Sequence, residues 1–122
     1  MRFDWSEYLD VAKELASSSV NREAKLRSAI SRAYYAAFIN ARNHLRDREG
    51  LLIPKTSDAY RYVKDQFQHS SDLVRQSLGE KLLRLRDFRR QADYVDTFPG
   101  LVGITQTALK LSEEVIAILS NL

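Results

Sequence analysis

The chain has no cysteine, only four glycines and two prolines, and a single tryptophan among its 122 residues. Without thiols there is no disulfide-stapled secreted scaffold and no thiolate nucleophile or ligand. So little glycine and proline argues against a turn-rich all-β chain. No uninterrupted apolar run approaches the roughly 20 residues that a membrane-spanning helix needs. The opening stretch Met1-Arg2-Phe3-Asp4-Trp5-Ser6 turns polar at once and has no signal-peptide core, so no membrane role is expected and the expected compartment is the cytoplasm. With 44% apolar residues the chain is too hydrophobic to be disordered. Its length fits one domain, expected to span residues 1–122 without linker, repeat or low-complexity tract.

What is present is helical periodicity. Asp4 or Ser6 can cap a short first helix with Tyr8, Val11, Ala12 and Leu15 on one side, ended by Ser17-Ser18-Ser19. Asn21 is a fitting N-cap for a long helix from Arg22 to about Arg48, whose main stripe is Leu26, Ile30, Ala33, Ala37, Ala41 and Leu45. Its many alanines allow close helix approach, which marks it as the central helix. Glu49-Gly50 and Pro54 end it. A third helix, capped by Ser57 or Asp58, turns Tyr60, Val63, Phe67 and Tyr62 inward and stops near His69. The fourth runs from Ser71 or Asp72 to about Tyr94, with a break expected near Gly79, and its apolar side is Leu78, Leu82, Leu85, Phe88 and Ala92. After Phe98-Pro99-Gly100 a fifth helix, about Leu101 to Leu119, carries Ile104, Ala108, Leu111, Val115 and Ile118. The fold class expected is all-α, about five helices in an antiparallel up-and-down bundle.

The formal net charge of +3 is unevenly placed. Residues 22–48 carry a net +5 and residues 75–97 a net +2, while the rest of the chain sums to −4. Most of the positive groups are Arg, whose planar fork grips phosphate or carboxylate through paired hydrogen bonds. On the fourth helix Arg86, Arg90 and Tyr94 recur every four residues and share one strip; Arg89 and Asp93 share the adjacent one. Stacked arginines repel unless an anion lies beside them. That anion is either a phosphate or a carboxylate of a neighbouring helix, such as the Glu113-Glu114 pair.

The run Arg27-Ser28-Ala29-Ile30-Ser31-Arg32-Ala33-Tyr34-Tyr35-Ala36-Ala37-Phe38 resembles the signature second helix of HEPN domains (higher eukaryotes and prokaryotes nucleotide-binding). The run Leu85-Arg86-Asp87-Phe88-Arg89-Arg90-Gln91-Ala92-Asp93-Tyr94 resembles the fourth-helix signature of the same family, and the order and spacing match over nearly the whole chain. The resemblance implies an α-helical bundle that dimerises, with the fourth-helix motifs of two subunits facing each other. It also implies a toxin-like or accessory partner of a small nucleotidyltransferase. Active members are metal-independent ribonucleases carrying Arg, four to six residues, then His. The imidazole moves protons at the 2′-OH or the leaving oxygen, and the Arg stabilises charge on the phosphate.

The sequence departs from that pattern at the histidine. After Arg89 and four intervening residues stands Tyr94, and neither His44 nor His69 follows an Arg at the required distance. A phenol, with an ordinary pKa of about 10, is a poor general base near neutrality. The ribonuclease motif therefore reads as degenerate, with Arg89 and Tyr94 the only catalytic candidates. Arg86, Arg89, Arg90, Asp93 and Tyr94 remain candidates for binding RNA, a nucleotide or a partner protein, and Tyr94 is a candidate acceptor for nucleotide transfer by that partner. The alternatives are a metal-independent ribonuclease with an atypical site and a purely structural dimeric interaction module. Tyr34 reads as core and Tyr35 as the dimer-interface candidate, while Trp5 reads as a lid on the core. His44 and His69 lie on different helices with no carboxylate pattern, so neither a metal nor another cofactor is expected.

Overall fold

The apolar stripes fold into five helices in a computed structural model that describes residues 2–122; Met1, where the N-terminal reading begins, lies outside them. These are α1 (Glu7–Ser17), α2 (Arg22–Asp47), α3 (Ala59–Gln68), α4 (Leu73–Tyr94) and α5 (Leu101–Ser120), with no strand among the described residues. The architecture is an all-α helical bundle.

The long α2 is the hub, in contact with each of the other four helices. Its 26 residues rise about 39 Å at 1.5 Å per residue. Leu26, Ile30, Ala33, Ala37, Ala41 and Leu45 are all buried, and so are Ala29 and Ala36 outside that stripe. The small residues let neighbours close in around the helix instead of along one face. The core continues through Val63 and Phe67 of α3, Leu78, Leu82 and Leu85 of α4, and Ala108 and Val115 of α5.

Three local expectations are corrected. Asn21 makes no side-chain cap; its backbone is left-handed at φ 49° and ψ 49°. The Arg22 guanidinium takes over part of that junction, donating to the Ala16 and Ser18 carbonyls at 2.8 and 2.9 Å. Val11 is 42% exposed, whereas Leu9 is buried, because the α1 stripe centres on Ala12. Gly79 does not interrupt α4. It lies where the end of α3 crosses, and a Cβ there would stand 2.5 Å from the Gln68 backbone nitrogen. The N-cap expected at Asp72 is made: its carboxylate accepts from the Val74 N–H at 2.8 Å and the Arg75 N–H at 3.4 Å.

Candidate functional site

The uninterrupted helicity of α4 places Arg86, Arg90 and Tyr94 on one strip and Arg89 and Asp93 on the next, and the two strips have different surroundings. Arg89 turns toward α2. Its side chain is only 16% exposed, and its guanidinium lies 5.4, 5.6 and 5.8 Å from the ring centroids of Tyr34, Tyr35 and Tyr94. Three aromatic faces around one cation are a cation–π cradle. Arg89 Nη1 also approaches Asp93 Oδ2 at 3.4 Å, and the Ser31 hydroxyl reaches the same oxygen at 3.4 Å. Arg89 Nε is buried with no hydrogen-bond partner. Burial works to lower the Arg89 pKa, but the oxygens of Tyr35, Tyr94 and Tyr34 and the Asp93 carboxylate outweigh it and raise it. The guanidinium stays charged.

The outer strip opens toward its C-terminal end. Arg86 lies 4.4 Å over the Tyr60 ring, Arg90 is exposed, and neither forms an ion pair among the described residues. Tyr94 is 74% exposed. The acidic pair offered as their neutraliser is committed elsewhere: Glu113 meets Lys13 at 2.8 Å and Glu114 meets Lys81 at 3.6 Å. A salt-bridge ladder from α5 to the α4 arginines is not formed.

The tyrosines of α2 divide as their spacing implies. Tyr34 is buried, its ring parallel to Phe38 at 5.8 Å and 6.2 Å from Tyr60. Burial holds the Tyr34 phenol well above the ordinary range and pushes Tyr60 up to about 12, so neither supplies a phenolate near neutrality. Tyr35 is half-buried between two guanidiniums, Arg32 at 5.3 Å and Arg89 at 5.6 Å. Arg32 in turn lies 4.8 Å over Tyr8, which meets Trp5 edge-on at 5.2 Å. Aromatic rings and arginines thus alternate from the start of α1, across α2, to the end of α4.

Sequence reasoning missed two parts of this arrangement. Arg32 and Tyr8 belong to the alternating series, but no spacing along one helix reveals a partner on another. Arg27 was visible as a basic group at the start of the α2 signature, without a partner. Its guanidinium donates to the carbonyls of Ala92 at 3.0 Å, Val95 at 2.6 Å and Asp96 at 2.9 Å. Ala92 lies in the last turn of α4 and Val95 and Asp96 just follow the helix, so Arg27 ties the end of α4, where Tyr94 stands, to the chain beyond it.

The two histidines stay outside the cluster: His44 Nε2 pairs with Glu49 at 2.9 Å, and His69 faces Asp65 at 3.9 Å. Among the described residues no three His, Cys, Asp or Glu side chains are grouped to hold a metal ion. No helix is long and apolar enough to cross a membrane.

A five-helix bundle with a basic fourth helix laid against the tyrosines of a central helix defines a class of helical domain. The family model for the HEPN domain matches residues 6–122, and the chain belongs to the HEPN-domain family. Neither the comparison with curated proteins nor that with solved structures gives a match.

Proposed function

We propose that residues 1–122 work as one HEPN-like domain that binds RNA phosphates through the outer strip of α4 without cleaving RNA efficiently. In this reading it is the toxin-like or accessory half of a two-component system with a nucleotidyltransferase, and it acts in the cytoplasm as a homodimer whose α4 faces oppose each other. The observation that carries the reading is the contrast between strips. Arg89 is held among three rings near Asp93. Arg86, packed on the Tyr60 ring, and the exposed Arg90 have no carboxylate partner among the described residues, and the exposed Tyr94 lies one turn beyond Arg90. Unneutralised arginines on one helix face bind phosphate favourably and release counterions when they do so. Exposed tyrosine beside them offers a stacking surface for an unpaired base.

The same geometry argues against efficient hydrolysis. Cleavage through the 2′-OH needs a group that both accepts and returns a proton near neutrality. After Arg89 and four intervening residues comes a phenol, Tyr94, and burial keeps the hydroxyls of Tyr34 and Tyr60 protonated. The Arg89 charge remains for phosphate, without a base. Tyr94, exposed at the helix end, is also the hydroxyl that a partner nucleotidyltransferase would reach.

The test is an anisotropy titration of a labelled single-stranded RNA across a salt series. Affinity is expected to fall steeply with salt, and the double variant Arg86→Gln/Arg90→Gln to weaken it about tenfold or more while leaving the helical circular dichroism unchanged. Affinity indifferent to both salt and substitution overturns the reading.

A further inference from the structure

A second concavity opens where the α2–α3 connection folds back on α2. It has a volume of about 490 Å³, within the range of small-ligand sites. None of the α4 residues contributes to it. Its walls are Phe38 from α2 and Leu51, Ile53 and Pro54 from the connection, and its cations are Arg42, Arg46 and Lys55.

The cations are not equivalent. Arg46 is neutralised by Asp47, its Nε and Nη2 donating to the two carboxylate oxygens at 2.8 and 3.2 Å. Arg42 spends only its Nε, on Asn43 Oδ1 at 3.1 Å, and its terminal nitrogens have no hydrogen-bond partner among the described residues. It is half-buried one helical turn from Arg46, and burial followed by the Arg46 charge lowers its pKa. Lys55 has no ion-pair partner among the described residues. Two uncompensated positive charges therefore face an apolar chamber. The cost falls on Arg42, which has lost part of its hydration without gaining an ion-pair partner, while Lys55 stays exposed at the rim.

We propose that this chamber binds a small phosphomonoester with an apolar body, its phosphate held by Arg42 and Lys55 and its organic part packed on Phe38, Leu51, Ile53 and Pro54. The charge of the ligand follows from the charge of the site. A phosphate monoester carries close to two negative charges at neutral pH, which matches the two free cations, whereas a carboxylate supplies one. The planar guanidinium of Arg42 can offer its two terminal nitrogens in parallel to phosphate oxygens, and Lys55 adds a point charge from the loop. The apolar walls add affinity only for a ligand with carbon attached to the phosphate, so inorganic phosphate is a poor occupant.

Isothermal titration calorimetry of the whole chain with phenyl phosphate, inorganic phosphate and benzoate tests this. Phenyl phosphate is expected to bind about tenfold or more tighter than either of the other two. Arg42→Gln is expected to weaken it about tenfold. Lys55→Gln, on an exposed loop residue whose loss leaves the core untouched, should weaken it severalfold, and Arg90→Gln should leave it unchanged. Three results would each overturn the proposal. These are phenyl phosphate no tighter than inorganic phosphate, binding that survives both Arg42→Gln and Lys55→Gln in folded protein, and a loss with Arg90→Gln equal to that with Arg42→Gln. The last would assign the phosphate to α4.

Discussion

At the residue scale, the proposed reading turns on Arg89 and Tyr94. The Arg89 guanidinium keeps its charge among three tyrosine rings and beside Asp93. In that reading phosphate stabilisation is retained and proton transfer is lost, because Tyr94 stands where an imidazole would be needed. Restoring an imidazole there is therefore an informative change. Tyr94→His is expected to raise metal-free RNA cleavage about 100-fold or more over the parent, the usual contribution of a positioned general acid–base. A quenched fluorescent RNA incubated with chelator reads this directly, and adding Arg89→Ala to that variant should return cleavage to the parental level. The chain around Tyr94 is held by Arg27, which donates from α2 to carbonyls on either side of that residue. In the sequence that arginine is one of seven basic groups between residues 22 and 48. Only the crossing of α2 past the end of α4 distinguishes it from the others.

At the scale of elements, packing decides two features that local propensity reads differently. Gly79 carries the sequence signal of a helix interruption, yet α4 is continuous, and the glycine serves packing instead: the backbone of Gln68 occupies the space a side chain would need. Gly79→Ala should therefore destabilise the fold by about 1–3 kcal/mol through overpacking. This is opposite to the gain of up to about 1 kcal/mol that alanine brings in a free helix interior, and urea denaturation distinguishes the signs. Just beyond the end of α2, the chain is tied to the start of α4 by an ion pair. Arg75 donates to both carboxylate oxygens of Glu49, at 2.9 and 3.0 Å, while His44 meets the same group at 2.9 Å. Hydrogen bonding from Arg75, opposed by partial burial and supported by the Arg75 and His44 charges, holds the Glu49 pKa below its ordinary value. A carboxyl group depressed in the folded state stabilises above its unfolded pKa, and loses that contribution as the pH falls through the folded one. Glu49→Gln is thus expected to cost about 1 kcal/mol near neutral pH and almost nothing at about pH 2, measured as the difference in urea midpoints.

At the scale of the whole molecule, the mild net charge of +3 conceals a division of labour. Several arginines are spent inside the fold, such as Arg22 and Arg27 on carbonyls and Arg75 on Glu49. Among those left without an anionic partner are Arg86 and Arg90 on the α4 strip and Arg42 on α2. Dimerisation is common among HEPN domains, and a pair of such strips facing each other would concentrate positive potential at the interface. Sedimentation at micromolar concentration is expected to show a dimer that strengthens when single-stranded RNA is added. A monomer under both conditions would remove the two-fold arrangement and leave each strip acting alone.

Helix number and most boundaries were legible along the chain because apolar residues recur at helical spacing and few glycines or prolines interrupt them. The α4 motif and its two strips were legible for the same reason: positions four apart share a face whatever the helix packs against. What lay beyond reach depends on distances between helices. The burial of Arg89 among the α2 tyrosines, the service of Arg27 at the α4 terminus, the commitment of Glu113 and Glu114 to lysines, and the chamber under the α2–α3 connection all arise where separate elements meet. Sequence alone determined an all-helical chain of HEPN type with a basic fourth helix that ends on Tyr94. Tertiary structure decided which arginines are satisfied and which remain free for an anion, because a charge is neutralised by whatever lies within a few ångströms in space, and periodicity along one helix carries no information about its neighbours.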